Sequence, residues 1–321
     1  MNQPYFSVTI PVYNRESFIK GCVESCLSQT FTDFEVVVVD DGSLDNTLNV
    51  LGQLKDIRLK IVKHSENRGI NAARFSGIKN STGKWIIGLD SDWELLPSGL
   101  QRLYNLTYSL DMSIVGIRAR QIWDTGFISP PFVPKGPVDY IGRIKYVEMV
   151  GGYDVLGCYR REMYDQLVTY PDRLGGDAGF FLDVLNIHQL GLMLYVEDVL
   201  CRQYSTALNS VTRGSMKTRV HNLKKFAPDT LWMFEEADRL HGDALKEYGP
   251  NQYLNLRRNI AVQCFYMGKK GQGLKMMLSY LRKKPFDYSA WIILCLGLMG
   301  QGYVLYGNAI RHFVRNILLS I

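Results

Sequence analysis

"FEVVVVDDGS", Phe34 to Ser43, decides the fold. Four consecutive valines stand in a run without polar alternation, and two acids and a glycine follow at once. β-Branched side chains favour extended backbone. A strand that is apolar at every position has both faces covered, which is the condition of an inner strand in a parallel sheet. The acids fall where the strand stops, because an ionised carboxylate is costly to bury without compensation.

The same logic extends in both directions. "FSVTIP" before this run, and "RLKIVKH" and "KWIIGLD" after it, read as further strands. Between them Phe18, Ile19, Cys22, Val23, Cys26 and Leu27 recur at helical spacing, and helices are expected at about Thr47–Leu54 and Ile70–Asn80. This alternation predicts an α/β fold whose mostly parallel sheet is flanked by helices. In such sheets ligands bind beyond the carboxyl ends of the strands. Those ends carry Pro11–Asn14, Asp40–Ser43, His64–Gly69 and Asp90–Asp92, four polar clusters on one edge.

Farther along come a helix near Pro97–Ser109, a strand in "SIVGIRARQI" and a loop with Pro130, Pro131, Pro134 and Pro137. A long Pro-rich connection of this kind borders an active site more often than a core. "GGYDVLGCYRREMYDQL" reads as a strand entering a helix, a further helix runs from near Asp177 to Gly191, and "LMLYVEDVL" is another strand. From about Lys217 the pattern is helical. A boundary near Ser215 is therefore expected, with residues 1–215 as one domain and 216–321 as a helical C-terminal region.

The chain has 321 residues, 46% hydrophobic and 21% charged, an ordinary globular composition that argues against disorder. Its six cysteines show no tight metal-binding spacing, so reduced thiols are expected rather than a disulfide framework. "MNQPYFSVTIPVYN" passes directly into a strand without a basic segment and apolar core, and a cytoplasmic chain is expected. The net charge of +6 is unevenly placed. From Asn251 to Ile321 ten Lys and Arg stand against one acid, Asp287, a local charge of +9 that leaves −3 for residues 1–250. A local basic excess points to an anionic surface such as a membrane, not to nucleic acid.

"GLDSDWELLP", Gly88 to Pro97, places Asp90 and Asp92 one residue apart at a strand end. A turn or helix cap uses the same residues. Hard carboxylate oxygens also suit Mg²⁺ or Mn²⁺, which take few protein ligands and fill their shell with water and substrate phosphates.

Taken together, "VTIPVYNRESFIKGCVESCLSQTFTDFEVVVVDDGSLDNT" and "NRGINAARFSGIKNSTGKWIIGLDSD" resemble the nucleotide-sugar domain of family-2 glycosyltransferases of the GT-A fold. The resemblance runs from about Val8 to Tyr204 and is strongest up to Pro97. It rests on ordered motifs, "PVYN", "SQTF.DFEVVVVDDGS", "N.G...AR" and "D.D". It implies a nucleotide-sugar half at about 1–97 and an acceptor half at about 98–215. Pro11, Tyr13 and Asn14 would line the base and ribose pocket, Asp41 would bond the base edge, and Asp40 would shape the turn. Asn67, Gly69 and Arg74 would border the nucleotide, although Arg74 also reads as a solvated helix position. Asp90 would contact ribose or metal-bound water, Ser91 lies in the donor site, and Asp92 would hold a divalent metal, Mn²⁺ or Mg²⁺.

The resemblance further implies a carboxylate base that takes the proton of an attacking acceptor hydroxyl. "GGDAGFFLDVL" offers Asp177, where the family's usual Glu-Asp pair is reduced by Gly176; an N-cap role fits it too. Asp172 and Asp183 are lesser candidates. Some relatives place a histidine ligand beyond the base, and "CRQYSTALNSVTRG" has none. His64, His188, His221, His241 and His312 are expected at the surface or in packing, while Arg202 and Arg213 could approach a diphosphate. The absence of Gln-x-x-Arg-Trp, which accompanies processive synthases, favours addition of a single sugar.

The expected activity is thus an inverting, metal-dependent hexosyl or N-acetylhexosaminyl transfer in cell-surface polysaccharide synthesis. The donor is a nucleoside-diphosphate sugar, UDP-linked, and the acceptor a glycan or lipid-linked hydroxyl. The rivals are a polyprenyl-phosphate sugar synthase and a non-catalytic sugar-nucleotide-binding scaffold. Ser289–Ile310 is uncharged over 22 residues but interrupted by Gly297, Gly300, Gly302 and Gly307. It reads as amphipathic helices on the inner face of an anionic membrane, or as a subdomain packed on the protein or on a second protomer in a homodimer.

Overall fold

The structure is a computed structural model describing residues 3–153, 155–166, 185–204, 216–305 and 307. They belong to two compact units, one holding the described residues up to 204 and the other those from 216 onward.

The first unit opens with the expected alternation: β1 (Phe6–Val12), α1 (Ile19–Leu27), β2 (Phe34–Asp40), α2 (Thr47–Gln53), β3 (Leu59–Lys63), α3 (Ile70–Lys79) and β4 (Trp85–Gly88). Then follow β5 (Trp93–Leu95), α4 (Gly99–Thr107), β6 (Ile114–Trp123), β7 (Ile128–Ser129), β8 (Pro137–Val138), α5 (Tyr140–Val150), β9 (Leu156–Arg160), α6 (Arg161–Asp165) and β10 (Leu192–Gln203). Residues 185–190 are helical and end at Gly191.

The sheet order is β3-β2-β1-β4-β9-β6-β10-β5, with β7 on β6 and β8 on β10. The β1–β2, β2–β3, β1–β4 and β6–β10 pairs are parallel. β9 enters between β4 and β6 and is antiparallel to both. The expectation of a mostly parallel sheet therefore holds for its first half, and the second half is mixed.

Val36, Val37, Val38 and Val39 of β2 have no exposed surface, as an inner strand requires. Each such burial contributes about 1.5–3 kcal/mol. Val36 and Val38 join the core beneath α1, together with Val8, Ile10, Ile87 and Ile117. On the opposite face Val37 and Val39 meet Ala73 of α3. Farther across the sheet Tyr146 of α5 packs with Tyr159, Met193 and Tyr195. All six cysteines are free thiols.

The second unit comprises α7 (Met216–Tyr248), α8 (Pro250–Tyr266), α9 (Lys270–Leu281) and α10 (Tyr288–Met299). Its core gathers Ala261, Phe265, Met277, Ile293 and Leu294. Gly297 of the apolar tail has a packing cause, since a Cβ there would stand 2.6 Å from Phe265 Cδ1, and Gly273 of α9 meets the same ring, its Cβ position lying 2.7 Å from Phe265 Cε1. No described helix is long and apolar enough to cross a membrane.

Asp287 caps α10, accepting from the Ala290 N–H at 3.0 Å, the Ser289 hydroxyl at 2.6 Å and the Tyr280 hydroxyl at 2.6 Å. Burial would raise its carboxyl, but these bonds and Arg258 outweigh that and hold it down at about 2. A folded value below the ordinary 3.8 means that this contribution is complete above that value and is lost as the pH falls towards 2. Asp287→Ala should cost about 1 kcal/mol, seen as faster amide exchange in residues 288–299 at neutral pH. Unchanged exchange there would show that the cap adds no stability.

Candidate active site

Parallel pairing fixes which polar groups meet. Val12 lies beside Asp40, Asp40 beside Lys63, and Thr9 beside Gly88. The segments following β1, β2, β3 and β4 therefore leave the sheet on the same edge.

Asp41 organises this edge. It is 2% exposed, with Oδ1 2.7 Å from His64 Nδ1 and 2.9 Å from the donating Arg68 N–H, while Oδ2 accepts from the Gly69 N–H at 2.8 Å. His64 Nε2 lies 2.8 Å from Ser76 Oγ of α3. Burial pushes the Asp41 carboxyl up, and its bonds to His64, Arg68 and Gly69 oppose that. Both oxygens thus hold the segment 64–69, which carries Asn67 and Gly69, against the end of β2. Asp40 shapes the turn as expected, its Oδ2 accepting from the Ser43 N–H at 3.2 Å. Its Oδ1 is buried without a hydrogen-bond partner among the described residues.

Asn14 ties β1 to the same turn. It sits at φ +52°, its N–H donates to Ser43 Oγ at 2.9 Å, and its Oδ1 accepts from the Leu44 N–H at 2.8 Å. Pro11 is buried, and Tyr13 and Asn14 are half-buried. Gly42 has φ +72°, and a Cβ there would come within 2.5 Å of the Glu66 carbonyl carbon. Gly42→Ala should cost about 1–3 kcal/mol and weaken donor binding by displacing segment 64–69. Titration calorimetry checks the affinity; wild-type values would mean that the donor does not use this junction.

Beyond β4 the chain turns at Asp90 and Asp92. The Trp93 N–H donates to Asp90 O at 2.9 Å, and the Tyr204 N–H donates to Asp92 O at 3.2 Å. Arg74 is no solvated helix residue: its Nη2 lies 3.1 Å from Asp90 Oδ1. A cleft of ≈ 210 Å³ opens here, lined among others by Ser17, Phe18, Ser91, Asp92, Glu94 and Tyr204. The Tyr204 hydroxyl donates to Glu94 Oε2 at 2.8 Å.

No group of three or more His, Cys, Asp or Glu suited to a metal occurs among the described residues. Asp90 and Asp92 offer hard oxygens beside an open cleft, and the Asp90 side chain is 40% exposed. That donor set fits Mg²⁺ or Mn²⁺ carried largely by water and phosphate, and does not fit a closed protein cage.

Asp172, Asp177, Asp183, Arg213 and His312 lie outside the described residues. Arg202 and His221 are exposed, while His188 and His241 are buried. Sequence reasoning passed over His64, which joins Asp41 to α3, and over the Glu94–Tyr204 pair. The position of His64 at the end of β3, one strand from Asp41, was the available signal.

The fold and this strand-end edge define a GT-A-type transferase architecture. The chain belongs to glycosyl transferase family 2, whose profile, described as "Glycosyl transferase family 2", matches residues 7–168. It is 28% identical over 180 residues to "Putative glycosyltransferase EpsH" of Bacillus subtilis, covering 54% of this chain and 52% of that one. It is 39% identical over 100 residues to "Chondroitin synthase" of Escherichia coli, covering 30% of this chain and 14% of that one. These curated relatives are thus matched over about half of their length or less. Among solved structures, S. aureus TarS 1-349 is similar with a TM-score of 0.54 at 20% identity, covering 97% of this chain and 91% of that one. A mannosyltransferase from Pyrobaculum calidifontis, solved with GDP-Man and Mn²⁺, has a TM-score of 0.53 at 18% identity, covering 99% and 88%.

Proposed function

We propose that this chain moves a sugar, with inversion, from a UDP-linked donor to a hydroxyl of a glycan or lipid-linked acceptor during polysaccharide assembly, one sugar per acceptor. The observation that carries this reading is the convergence of Asn14, the Asp40–Ser43 turn, the Asp41-held segment 64–69 and the Asp90/Asp92 pair on one sheet edge. Similar folds have been solved with UDP-GlcNAc, in TarS, and with GDP-Man and Mn²⁺.

In this reading Pro11, Tyr13, Asn14, Asn67 and Gly69 border the nucleotide, and Asp41 holds that wall in place. Asp90, Ser91 and Asp92 face the diphosphate, with Arg74 orienting Asp90. Asp92 and Asp90 would hold Mn²⁺ or Mg²⁺, which when bound offsets the charge of the leaving diphosphate. Asp177 takes the proton of the acceptor hydroxyl. A screen of sugar nucleotides by calorimetry, with and without Mn²⁺, tests the reading; absence of binding by any donor would overturn it.

The second unit would hold the enzyme at an anionic membrane face. In α10, Ala290, Ile293, Leu294 and Gly297 are buried, whereas Trp291, Ile292, Cys295, Leu298 and Met299 form an exposed stripe. Exposed Arg282, Lys283 and Lys284 precede that helix. Basic residues beside an exposed apolar helix face suit anionic headgroups over acyl chains. Trp291→Glu with Ile292→Glu should lower co-sedimentation with anionic vesicles about tenfold or more. Equal binding by variant and wild type would remove this face from membrane association.

A further inference from the structure

The cleft beside Asp92 reaches past the carboxylates assigned to the diphosphate. Ser17, Phe18 and Cys22, from α1 and the turn before it, line it together with Asp92, Glu94 and Tyr204. The Cys22 side is closed: this residue is 2% exposed, and its Sγ donates to Asp90 O at 3.6 Å.

Three elements meet at Glu94 of β5. Its Oε2 accepts from the Tyr204 hydroxyl at 2.8 Å, while the Tyr204 N–H donates to Asp92 O at 3.2 Å. Tyr204, at the end of β10, thus clasps both ends of the Asp92–Glu94 segment. From α1, a Cβ on Gly21 would stand 2.7 Å from Glu94 Oε1. Gly21 lies inside a helix, where alanine is the better helix former, so its small size serves the carboxylate and not the backbone.

The chemistry of these walls selects a ligand. The described residues lining the cleft include two acids and no Lys or Arg, so they offer an anion no cationic partner. A carboxylate accepts about four hydrogen bonds, and the Tyr204 hydroxyl supplies one of those to Glu94. Hydroxyl groups are suitable donors for the others. Phe18 and Tyr204, both half-buried, add ring surface against which the C–H face of a sugar packs. A volume of ≈ 210 Å³ is below the about 300–1,000 Å³ of drug-sized sites and suits one sugar ring, not a chain. We propose that this cleft is a subsite for one uncharged sugar unit, with Glu94 recognising its hydroxyls. This deepens the transferase reading and rests on it, because Asp92 borders both the subsite and the proposed diphosphate position. The same chemistry is offered by the sugar of the donor and by that of the acceptor.

Gly21→Ala and Glu94→Gln test the subsite in the full chain. The added Cβ meets the far end of a flexible side chain, so Gly21→Ala should displace Glu94 without lowering the Tm. Glu94→Gln keeps an acceptor for the Tyr204 hydroxyl and removes the charge. The probes are UDP, UDP-glucose, UDP-galactose, UDP-N-acetylglucosamine and UDP-glucuronic acid by calorimetry with Mn²⁺. Methyl glycosides of the same sugars are followed by ligand-observed NMR. In wild type at least one neutral sugar should bind, as its glycoside or as a gain of its UDP form over UDP, and more tightly than glucuronic acid. Both variants should lower that sugar-dependent binding about fivefold or more, with UDP affinity kept within about twofold. A loss among the UDP-sugars assigns the subsite to the donor, and a loss among the glycosides alone assigns it to the acceptor. Three results overturn the subsite and leave Glu94 and Tyr204 as a structural clasp: no neutral sugar bound in wild type, glucuronic acid bound equally well, or wild-type binding in either variant. Failure of UDP itself to bind in wild type would sink the transferase reading, while the glycosides still decide the subsite.

Discussion

Asp92→Ala is expected to abolish sugar transfer and to remove the Mn²⁺-dependent part of donor affinity, while the fold survives. Asp92 is half-buried and lines the cleft with Ser91 and Glu94, and its backbone carbonyl is held by the Tyr204 N–H at 3.2 Å. The bonds from the Trp93 N–H to Asp90 O and from the Tyr204 N–H to Asp92 O run between main-chain atoms, so truncation should leave them in place. A carboxylate facing a developing diphosphate charge through a cation acts where electrostatic stabilisation is largest, and losing such a group costs about 10²–10³-fold or more. Calorimetry of the variant with donor, with and without Mn²⁺, separates the alternatives. Donor affinity that still responds to Mn²⁺ would move the metal role away from Asp92.

The second large effect is expected from Asp177→Asn. The amide keeps the shape of the side chain and can still cap a helix, but it cannot accept the proton of an attacking hydroxyl. Transfer should fall by about 100-fold or more with donor affinity unchanged, as general-base catalysis requires. The loss should concentrate in kcat, because the proposed donor site at the ends of β1 to β4 uses other residues. Near-normal turnover would leave Asp177 as a helix cap and turn attention to Asp172 and Asp183.

The two halves of the first unit differ in how legible they were. From Phe6 to Gly88 the inner strands β1, β2 and β4 are short apolar runs and α1 carries a recurring apolar stripe, so local pattern announces them, while the partly exposed edge strand β3 follows from its place in the alternation. Asp40, Asp41, Asp90 and Asp92 were recognisable because acids immediately follow those runs. The second half hides its order. β9 reads locally as a strand, yet nothing in "LGCYR" says that it lies between β4 and β6 or runs against both. His64 was equally hidden. A histidine at a strand end is unremarkable until Asp41 Oδ1 lies 2.7 Å away and Ser76 Oγ 2.8 Å away on the other side.

The amino-acid sequence by itself determined the alternating αβ pattern, the strand ends on which acids gather, and the helical, basic C-terminal region. Each of these depends on residues close together in the chain, where periodicity and charge report burial directly. Only the tertiary structure decided that Asp41 spends its oxygens on His64, Arg68 and Gly69, that Gly297 is small to admit Phe265, and that Gly88, Gly157, Arg118 and Tyr195 share a row. Those relations join residues 23 to 77 positions apart within each contact. Lateral pairing in a sheet sets them by the order of strands in space, which no local pattern encodes.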